Sequence, residues 1–172
     1  MANDLVFLDT ETTGLDPRIH EVWEIAWAVN DGPVQTIQVG HTLTSADPQA
    51  LKINGYLDRW QPLSETSRED EDALREALDG ATLVCSNPAF DEAFLRRRWG
   101  NPNWHHRKID IATYAMPALG ADRPVGLAAI AERLGVRAPD HTARVDVLVL
   151  RACHRKLTKW YGQRGVRMEA TS

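Results

Sequence analysis

Two carboxylates end the first apolar run of the chain. Asp9 and Glu11 follow residues 5–8, which are all apolar, and one residue separates them. Since side chains alternate along a β-strand, both carboxylates would point to the same face, roughly 7 Å apart along the backbone. Like charges this close in a partly buried place raise each other's pKa unless a cation lies between them. Oxygen ligands favour Mg²⁺ or Mn²⁺ over zinc, whose sites usually include Cys or His. The pair therefore predicts a divalent metal site at the end of a strand.

Two further acids stand in similar surroundings. Asp91 follows soon after the apolar residues 82–85, and Asp146 is the only acid in the apolar stretch 141–150. A buried acid without a partner costs free energy, so Asp146 is expected to face a partner such as a metal. Taken singly, each acid could instead cap a helix or pair with an arginine. Taken together, the four acids carry a charge that two divalent cations would neutralise.

The elements that must position these acids follow from the hydrophobic pattern. Residues 22–30 and 34–43 favour strands and flank a turn sequence at 30–33, which predicts an antiparallel meander with the first strand. A buried strand is predicted at 82–85, and the loop 45–61 has no clear pattern. Hairpins followed by alternating elements imply a mixed sheet with helices packed on it. Apolar periodicity and closing glycines predict helices at 67–80, 90–99, 109–119, 127–134 and 143–160.

Size and composition limit the class of protein. With 172 residues, the chain can bury one substantial core, so we expect a single domain over residues 1–172. No run approaches the roughly 18 to 20 apolar residues of a membrane span, and the first four residues lack the features of a signal peptide. We therefore expect a cytoplasmic protein without a membrane partner. Cys85 and Cys153 are expected to be buried free thiols.

The charge distribution leaves two interpretations open. The net charge of −4 argues against nonspecific coating of nucleic acid, yet residues 151–172 carry six basic side chains and one acidic one. A basic and flexible tail is expected from about residue 161. These side chains, like Arg96–Arg98 and the pair Arg107 and Lys108, either form solvated helix surfaces or contact a phosphate backbone. A solvated loop is favoured over a metal or stacking site for His105 and His106.

Three ordered motifs resemble those of the DEDDh 3′–5′ exonucleases of the DnaQ-like superfamily. The first covers residues 9–15, the second covers residues 87–95 with Asp91, and the third covers residues 141–146. A tyrosine branch of the superfamily has Tyr four residues before the last Asp, but position 142 here is Thr, so the His branch fits. The resemblance spans about residues 4–157. It implies an α/β ribonuclease H-like fold with a mixed five-stranded sheet, in which an antiparallel meander joins parallel strands and helices cover both faces.

The resemblance also implies the roles of individual residues. The four acids would hold two divalent cations, Mg²⁺ or Mn²⁺, and His141 would be the general base. His141 lies five residues before Asp146, so it can reach that site only if it lies in a loop before the helix. The implied catalytic and metal residues are Asp9, Glu11, Asp91 and Asp146 with His141 as base, and the implied substrate-binding residues are Thr12, Thr13, Gly14, Leu15 and Asn87.

The expected reaction is the release of nucleoside 5′-monophosphates from the 3′ end of DNA or RNA. The partner would be a single strand or the 3′ end of a nucleic acid. A polymerase or another protein would have to be a separate chain, because 172 residues leave no room for a second enzyme. The alternative is a catalytically silent nucleic-acid-binding or scaffold subunit with the same fold.

Overall fold

Five strands form one mixed sheet in the computed structural model, which describes residues 3–61 and 67–164. The strand order is β3-β2-β1-β4-β5. β1 pairs antiparallel with β2 and parallel with β4, β2 pairs antiparallel with β3, and β4 pairs parallel with β5. The expected meander and the mixed sheet are therefore confirmed. The strands are β1 (Leu5–Thr12), β2 (Val22–Val29), β3 (Gln35–Gln38), β4 (Thr82–Cys85) and β5 (Ile109–Asp110).

The described helices cover both faces of this sheet. Those predicted at 67–80, 90–99, 127–134 and 143–160 are present, and the last extends to Arg164. The part of the predicted tail that follows, residues 165–172, lies outside the described residues. The helices are α1 (Pro48–Ile53), α2 (Tyr56–Arg59), α3 (Ser67–Leu78), α4 (Pro88–Trp99), α5 (Ile111–Tyr114), α6 (Met116–Leu119), α7 (Leu127–Leu134) and α8 (Ala143–Arg164).

The single helix predicted at 109–119 is wrong. Residues 109–110 form the edge strand β5, and α5 begins only after Asp110, whose carboxylate accepts a hydrogen bond from the Ala112 amide. The helix then breaks at Ala115, because Pro117 has no amide proton to continue the hydrogen-bond ladder. The loop 45–61 is also more ordered than its pattern indicates, since it contains α1 and α2.

The alternation of side chains along β1 divides the core into two halves. Phe7 packs with α7 and α8, whereas Val6 and Leu8 pack with α3 and α4 on the opposite face. Asp9 and Glu11 share the parity of Phe7 and therefore lie on the α8 face. Cys85 and Cys153 are buried free thiols, as expected.

Basic side chains of α8 hold the hairpin between β2 and β3. Arg151 donates a hydrogen bond to the Gly32 carbonyl, and the Arg155 guanidinium pairs with Asp31, with Nε 3.0 Å from Oδ1. These contacts favour a structural role for the basic side chains of α8 over contact with a phosphate backbone. None of the described helices combines the length and apolar character needed to cross a membrane.

Candidate active site

The end of β1 carries the first two acids. Asp9 lies opposite Ala26 of β2, and Glu11 lies opposite Glu24. The register between the two strands shifts immediately after Glu11, which is the irregularity expected of a β-bulge. The central strand therefore fixes both carboxylates on the α8 face, and the bulge redirects the chain just beyond them.

Asp91 reaches the same end of the sheet from α4. Asn87 precedes this helix with a left-handed φ of 70°, and Pro88 starts its first turn. Asp91 is only 3% exposed, and its Oδ1 accepts a hydrogen bond from the Thr10 hydroxyl at 2.8 Å. Because Thr10 points away from the α8 face, this bond ties Asp91 to β1 from the other side of the sheet.

Asp146 comes from the first turn of α8. Its Oδ1 accepts a hydrogen bond from the Asp140 amide at 3.1 Å, so the loop before the helix closes over the carboxylate. His141 belongs to that loop and not to the helix, and its φ of 59° is unusual for a residue other than glycine. Burial raises the pKa of Asp146, and the Asp140 amide and the nearby His141 side chain only partly offset this rise.

Burial and mutual repulsion raise the pKa of the acids. Burial raises the pKa of Asp9 well above its usual value, and Asp91, Glu11 and Asp146 add to this rise. Burial also raises the pKa of Glu11 to about 8, with repulsion from Asp146 as the next cause. The pKa of Asp91 is about 7, again mainly because of burial, although the Thr10 hydrogen bond lowers it. The structure therefore brings together the four acids on which the sequence-based hypothesis rests.

The chemistry of this set fits divalent cations. All four groups offer only oxygen donors, and two cations would remove the repulsion that raises their pKa values. Within residues 3–61 and 67–164, no three His, Cys, Asp or Glu side chains already form a group that could hold a metal ion. The assignment of a metal site thus rests on the oxygen donors of the four acids and on the repulsion between their charges.

Internal hydrogen bonds hold the segment after Glu11, where substrate-binding residues are expected. The hydroxyls of Thr12 and Thr13 are used inside the loop, where they bond the Gly14 carbonyl at 2.7 Å and the Glu21 amide at 2.9 Å. A Cβ on Gly14 would lie 2.5 Å from the ring of His20, so only glycine fits there. Leu15 is 76% exposed.

Asn87 and the loop at Asn54 occupy different surroundings. Asn87 is exposed, and its side chain makes no cap hydrogen bond to α4. Asn54 is 5% exposed, and its Nδ2 donates to the Thr12 carbonyl at 3.0 Å. Asn54 also lowers the pKa of Glu11 through a side-chain hydrogen bond. The structure thus connects Asn54 directly to the acid-bearing strand β1.

Other basic residues singled out from the sequence have structural partners. Arg97 donates to the carbonyls of Pro17 at 2.6 Å and His20 at 3.0 Å, which holds the loop after β1 against α4. Arg98 pairs with Glu71 at 2.6 Å. These contacts favour scaffold roles for both side chains over guidance of a phosphate backbone.

The two adjacent histidines belong to a loop. His105 Nδ1 accepts a hydrogen bond from the Arg107 amide at 3.2 Å, and the ring of His106 lies 4.3 Å from the ring of His105. No described acid, Cys or further His completes a metal group with them. The solvated-loop interpretation therefore fits these residues.

Sequence reasoning missed two charged residues beside the acids. Glu24 is 3% exposed within β2, and the guanidinium of Arg59 from α2 forms an ion pair with it. A signal for Glu24 was available, because it is a single acid inside an otherwise apolar strand, as Asp146 is in its helix. Nothing in the sequence indicates that Arg59 would reach it.

Comparison with known proteins identifies several relatives. No protein-family model matches the chain. The oligoribonuclease of Shewanella frigidimarina is 30% identical over 132 residues, which cover 65% of this chain and 73% of that protein. A DNA polymerase III of the PolC type from Thermotoga petrophila is 31% identical over 149 residues, which cover 82% of this chain but only 11% of that polymerase. The chain thus matches most of an oligoribonuclease and a small part of a polymerase.

Solved structures share the fold at lower sequence identity. The zinc-bound complex of Escherichia coli exonuclease I with single-stranded DNA has a TM-score of 0.68 and 18% identity, covering 95% of this chain and 42% of that one. The Mg²⁺- and Mn²⁺-bound form of Pop2p from S. pombe has a TM-score of 0.67 and 15% identity, covering 94% of this chain and 85% of that one. The chain therefore shares its five-stranded sheet with helices on both faces with these solved structures.

Proposed function

The chain belongs to the DnaQ-like superfamily of 3′–5′ exonucleases, and we propose that it hydrolyses nucleic acid from the 3′ end in a metal-dependent reaction. The products would be nucleoside 5′-monophosphates, and the substrate would be DNA or RNA with an accessible 3′ end. The observation that carries the proposal is the convergence of four carboxylates from β1, α4 and α8 at one end of the sheet, where the charges of Asp91 and Asp146 add to the effect of burial in raising the pKa of both Asp9 and Glu11.

These carboxylates would hold the metal ions. Asp9, Glu11, Asp91 and Asp146 offer oxygen donors to two divalent cations, Mg²⁺ or Mn²⁺, which would supply charge stabilisation at the attacking and leaving oxygens of the phosphodiester. The hydrogen bonds from Thr10 to Asp91 and from the Asp140 amide to Asp146 orient two of these carboxylates. Orienting contacts of this kind tune both ligand geometry and metal affinity.

His141 would take the proton from the attacking water on an imidazole nitrogen. Its loop lies beside Asp146, and its side chain is exposed, so the ring can turn towards a bound strand. Imidazole is the side chain most often used for proton transfer near neutral pH. The left-handed backbone at this position supports a functional role, since such conformations concentrate where the surrounding structure imposes them.

The loop after Glu11 would bind the terminal nucleotide. Gly14 and the internally bonded Thr12 and Thr13 give this loop a fixed backbone shape, against which a nucleotide can lie closely. The exposed Leu15 would contact the terminal base, and Asn87 would contribute a polar group from the start of α4.

The decisive experiment uses 5′-labelled single-stranded DNA and RNA with Mg²⁺, Mn²⁺ or chelator. A ladder that shortens from the 3′ end only with metal, and that is absent in the Asp9→Ala variant, would support the proposal. Failure to cleave either strand, with binding retained, would favour the silent scaffold subunit instead. The same gels would show which sugar the enzyme prefers.

A second candidate concerns the substrate. The similarity to oligoribonuclease over 73% of that protein favours short RNA oligomers. Faster turnover of RNA dinucleotides than of long strands would support this choice. The match to part of a PolC-type polymerase instead favours a proofreading role beside a separate polymerase chain, which would require faster removal of mismatched than of paired nucleotides from DNA 3′ ends.

A further inference from the structure

Glu24 creates a charge problem beside the candidate active site. It lies directly opposite Glu11 in the antiparallel pair of β1 and β2, and paired residues present their side chains on the same face. Glu24 is only 3% exposed, so water cannot solvate its carboxylate well enough to stabilise the negative charge. A cation next to Glu24 is therefore needed to keep another negative charge from adding to the acid cluster.

Arg59 supplies that cation from α2. Its Nη2 forms an ion pair with Glu24 Oε1, and the guanidinium lies 5.0 Å from the centre of the Trp23 ring. Gln38 completes the surroundings, since its Nε2 lies 3.4 Å from Glu24 Oε2 and donates to the Arg59 carbonyl at 2.9 Å. The pair is thus fixed from both sides.

The same guanidinium also reaches the two loops that border the acids. Arg59 Nη1 donates to the Asn54 carbonyl at 2.6 Å and approaches the His141 carbonyl at 3.5 Å. Asn54 in turn donates to the Thr12 carbonyl at 3.0 Å. One side chain therefore connects β2, the loop before α2 and the loop that carries the candidate base.

The terminal nitrogens of Arg59 are occupied by protein groups. Nη2 contacts Glu24, and Nη1 contacts two backbone carbonyls, while the side chain is 23% exposed. The guanidinium lies near enough to Glu11 and Asp146 for its charge to be attracted by both. This arrangement suits orientation of neighbouring groups better than direct contact with a substrate phosphate.

We propose that Arg59, held by Glu24, is a positioning residue for the exonuclease reaction that keeps the His141 loop and Glu11 in place. The proposal rests on the function proposed above. Arg59 would act through His141 and the metal-binding acids, and its loss would lower the rate of hydrolysis more than the binding of the strand.

The test compares Arg59→Met, Arg59→Lys, Glu24→Gln and the double variant Arg59→Met/Glu24→Gln with the wild type. Arg59→Met leaves Glu24 buried without its partner and can fail to fold, so the double variant removes both charges. Arg155→Met is the matched control, because it breaks an arginine–aspartate pair at the hairpin, remote from the acids. Each protein is assayed for kcat and KM on a 5′-labelled single strand, for the Mn²⁺ concentration of half-maximal activity, and for the increase in melting temperature on adding Mn²⁺.

We expect Arg59→Met and the double variant to lose about 10- to 100-fold in kcat, which is typical when residues that orient metal ligands are removed. KM should change little, the half-activating Mn²⁺ concentration should rise, and the Mn²⁺-induced increase in melting temperature should shrink. Arg59→Lys should recover part of kcat, because it keeps the charge but not the forked contacts. Arg155→Met should match the wild type in all four measurements.

Two results would overturn the proposal. A rise in KM with unchanged kcat would make Arg59 a substrate contact, and a folded double variant with wild-type kcat and Mn²⁺ response would leave Arg59 without a role in positioning. These results are distinct from failure of the proposed function. In that case the wild type itself would show no metal-dependent shortening from the 3′ end and would resemble the Asp9→Ala control.

Discussion

The two ends of the central strand β1 use charge in opposite ways. Where β1 begins, the neighbouring hairpin is held by Arg151 and Arg155, and hydrogen bonds from Arg155 lower the pKa of Asp31. Where β1 ends, burial and mutual repulsion raise the pKa of Asp9 and Glu11. Charged side chains thus form paired contacts at the first end of β1, whereas at the second end they leave negative charge in excess.

The largest effect should come from removing one charge at the acid end. We expect Asp9→Asn to reduce exonuclease activity to the background of the assay, because the metal ions would lose one of the carboxylates proposed to hold them. In chelator the same variant should resist urea better than the wild type, since a buried and repelled charge is gone.

Asp31→Asn is the matched control at the hairpin and should retain activity. Activity in Asp9→Asn, or lower stability of this variant in chelator, would contradict the proposed excess of functional negative charge at the end of β1.

The next largest effect concerns the loop base. His141→Ala should lower kcat by about 10²- to 10⁴-fold, the range that general acid–base catalysis contributes. The increase in melting temperature on adding Mn²⁺ should stay near that of the wild type, because His141 is not among the proposed metal ligands. Turnover close to normal would show that His141 is not the general base. The acids would then be the only residues at that end of β1 with a proposed role in the reaction.

The pH dependence of stability in chelator should differ in sign between the two ends. The pKa of Glu11 is about 8 in the folded chain against an ordinary 4.5, so the folded chain keeps a proton that the unfolded chain releases between these values. The free energy of unfolding should therefore be highest below the ordinary pKa and fall as the pH rises towards about 8. The lowered pKa of Asp31 acts oppositely, because its contribution is lost only as the pH falls.

Urea midpoints measured across this range in chelator would test the sign. The decrease with pH should be smaller in Glu11→Gln. A wild-type stability that rises steadily with pH would show that the acid end does not destabilise the fold.

Metal should reverse this destabilisation. At a Mn²⁺ concentration about 100 times the Kd of a site, we expect each bound cation to raise the free energy of unfolding by about 2.7 kcal/mol through linkage alone. The increase should be strongly reduced in Asp9→Asn and unaffected in Asp31→Asn. Calorimetric titration with Mn²⁺ would give the Kd, and equal stabilisation of all three proteins would place metal binding elsewhere.

The smallest effect is expected at the hairpin. Arg151→Met removes a hydrogen bond to the Gly32 carbonyl and should cost about 1 kcal/mol of stability. Its kcat and KM should equal those of the wild type in the strand-shortening assay. A clear rise in KM would mean that the basic surface of α8 contacts nucleic acid, which is the interpretation that these hydrogen bonds disfavour.

Much of this architecture could be predicted because local pattern and tertiary role agree. The strand at 82–85 and the helix at 127–134 were found at their observed bounds, since burial imposes the period of each element. β5 was missed because two residues are too few to carry a period, and the Asp110 cap resembles any helix start.

The candidate site also contains residues that the sequence could predict and residues that it could not. The acids could be recognised because burying a carboxylate costs free energy, and the apolar residues around each acid can be read directly from the sequence. Glu24 could have been found by the same reasoning. Arg59 could not, because its contacts depend on where the short helix α2 lies against β2. The roles of Asp9, Glu11, Asp91, Asp146 and His141 remain predictions that the experiments above address.

The central position of β1 has a consequence for how the molecule opens. This strand is hydrogen-bonded on both sides, by β2 and by β4, so the amides around Asp9 belong to the part of the chain expected to exchange hydrogen most slowly with solvent. His141 and Leu15 lie in loops, whose amides exchange through small local openings. Local opening of these loops, where a nucleic acid is proposed to bind, can therefore occur while Asp9 and Glu11 stay fixed in the central strand.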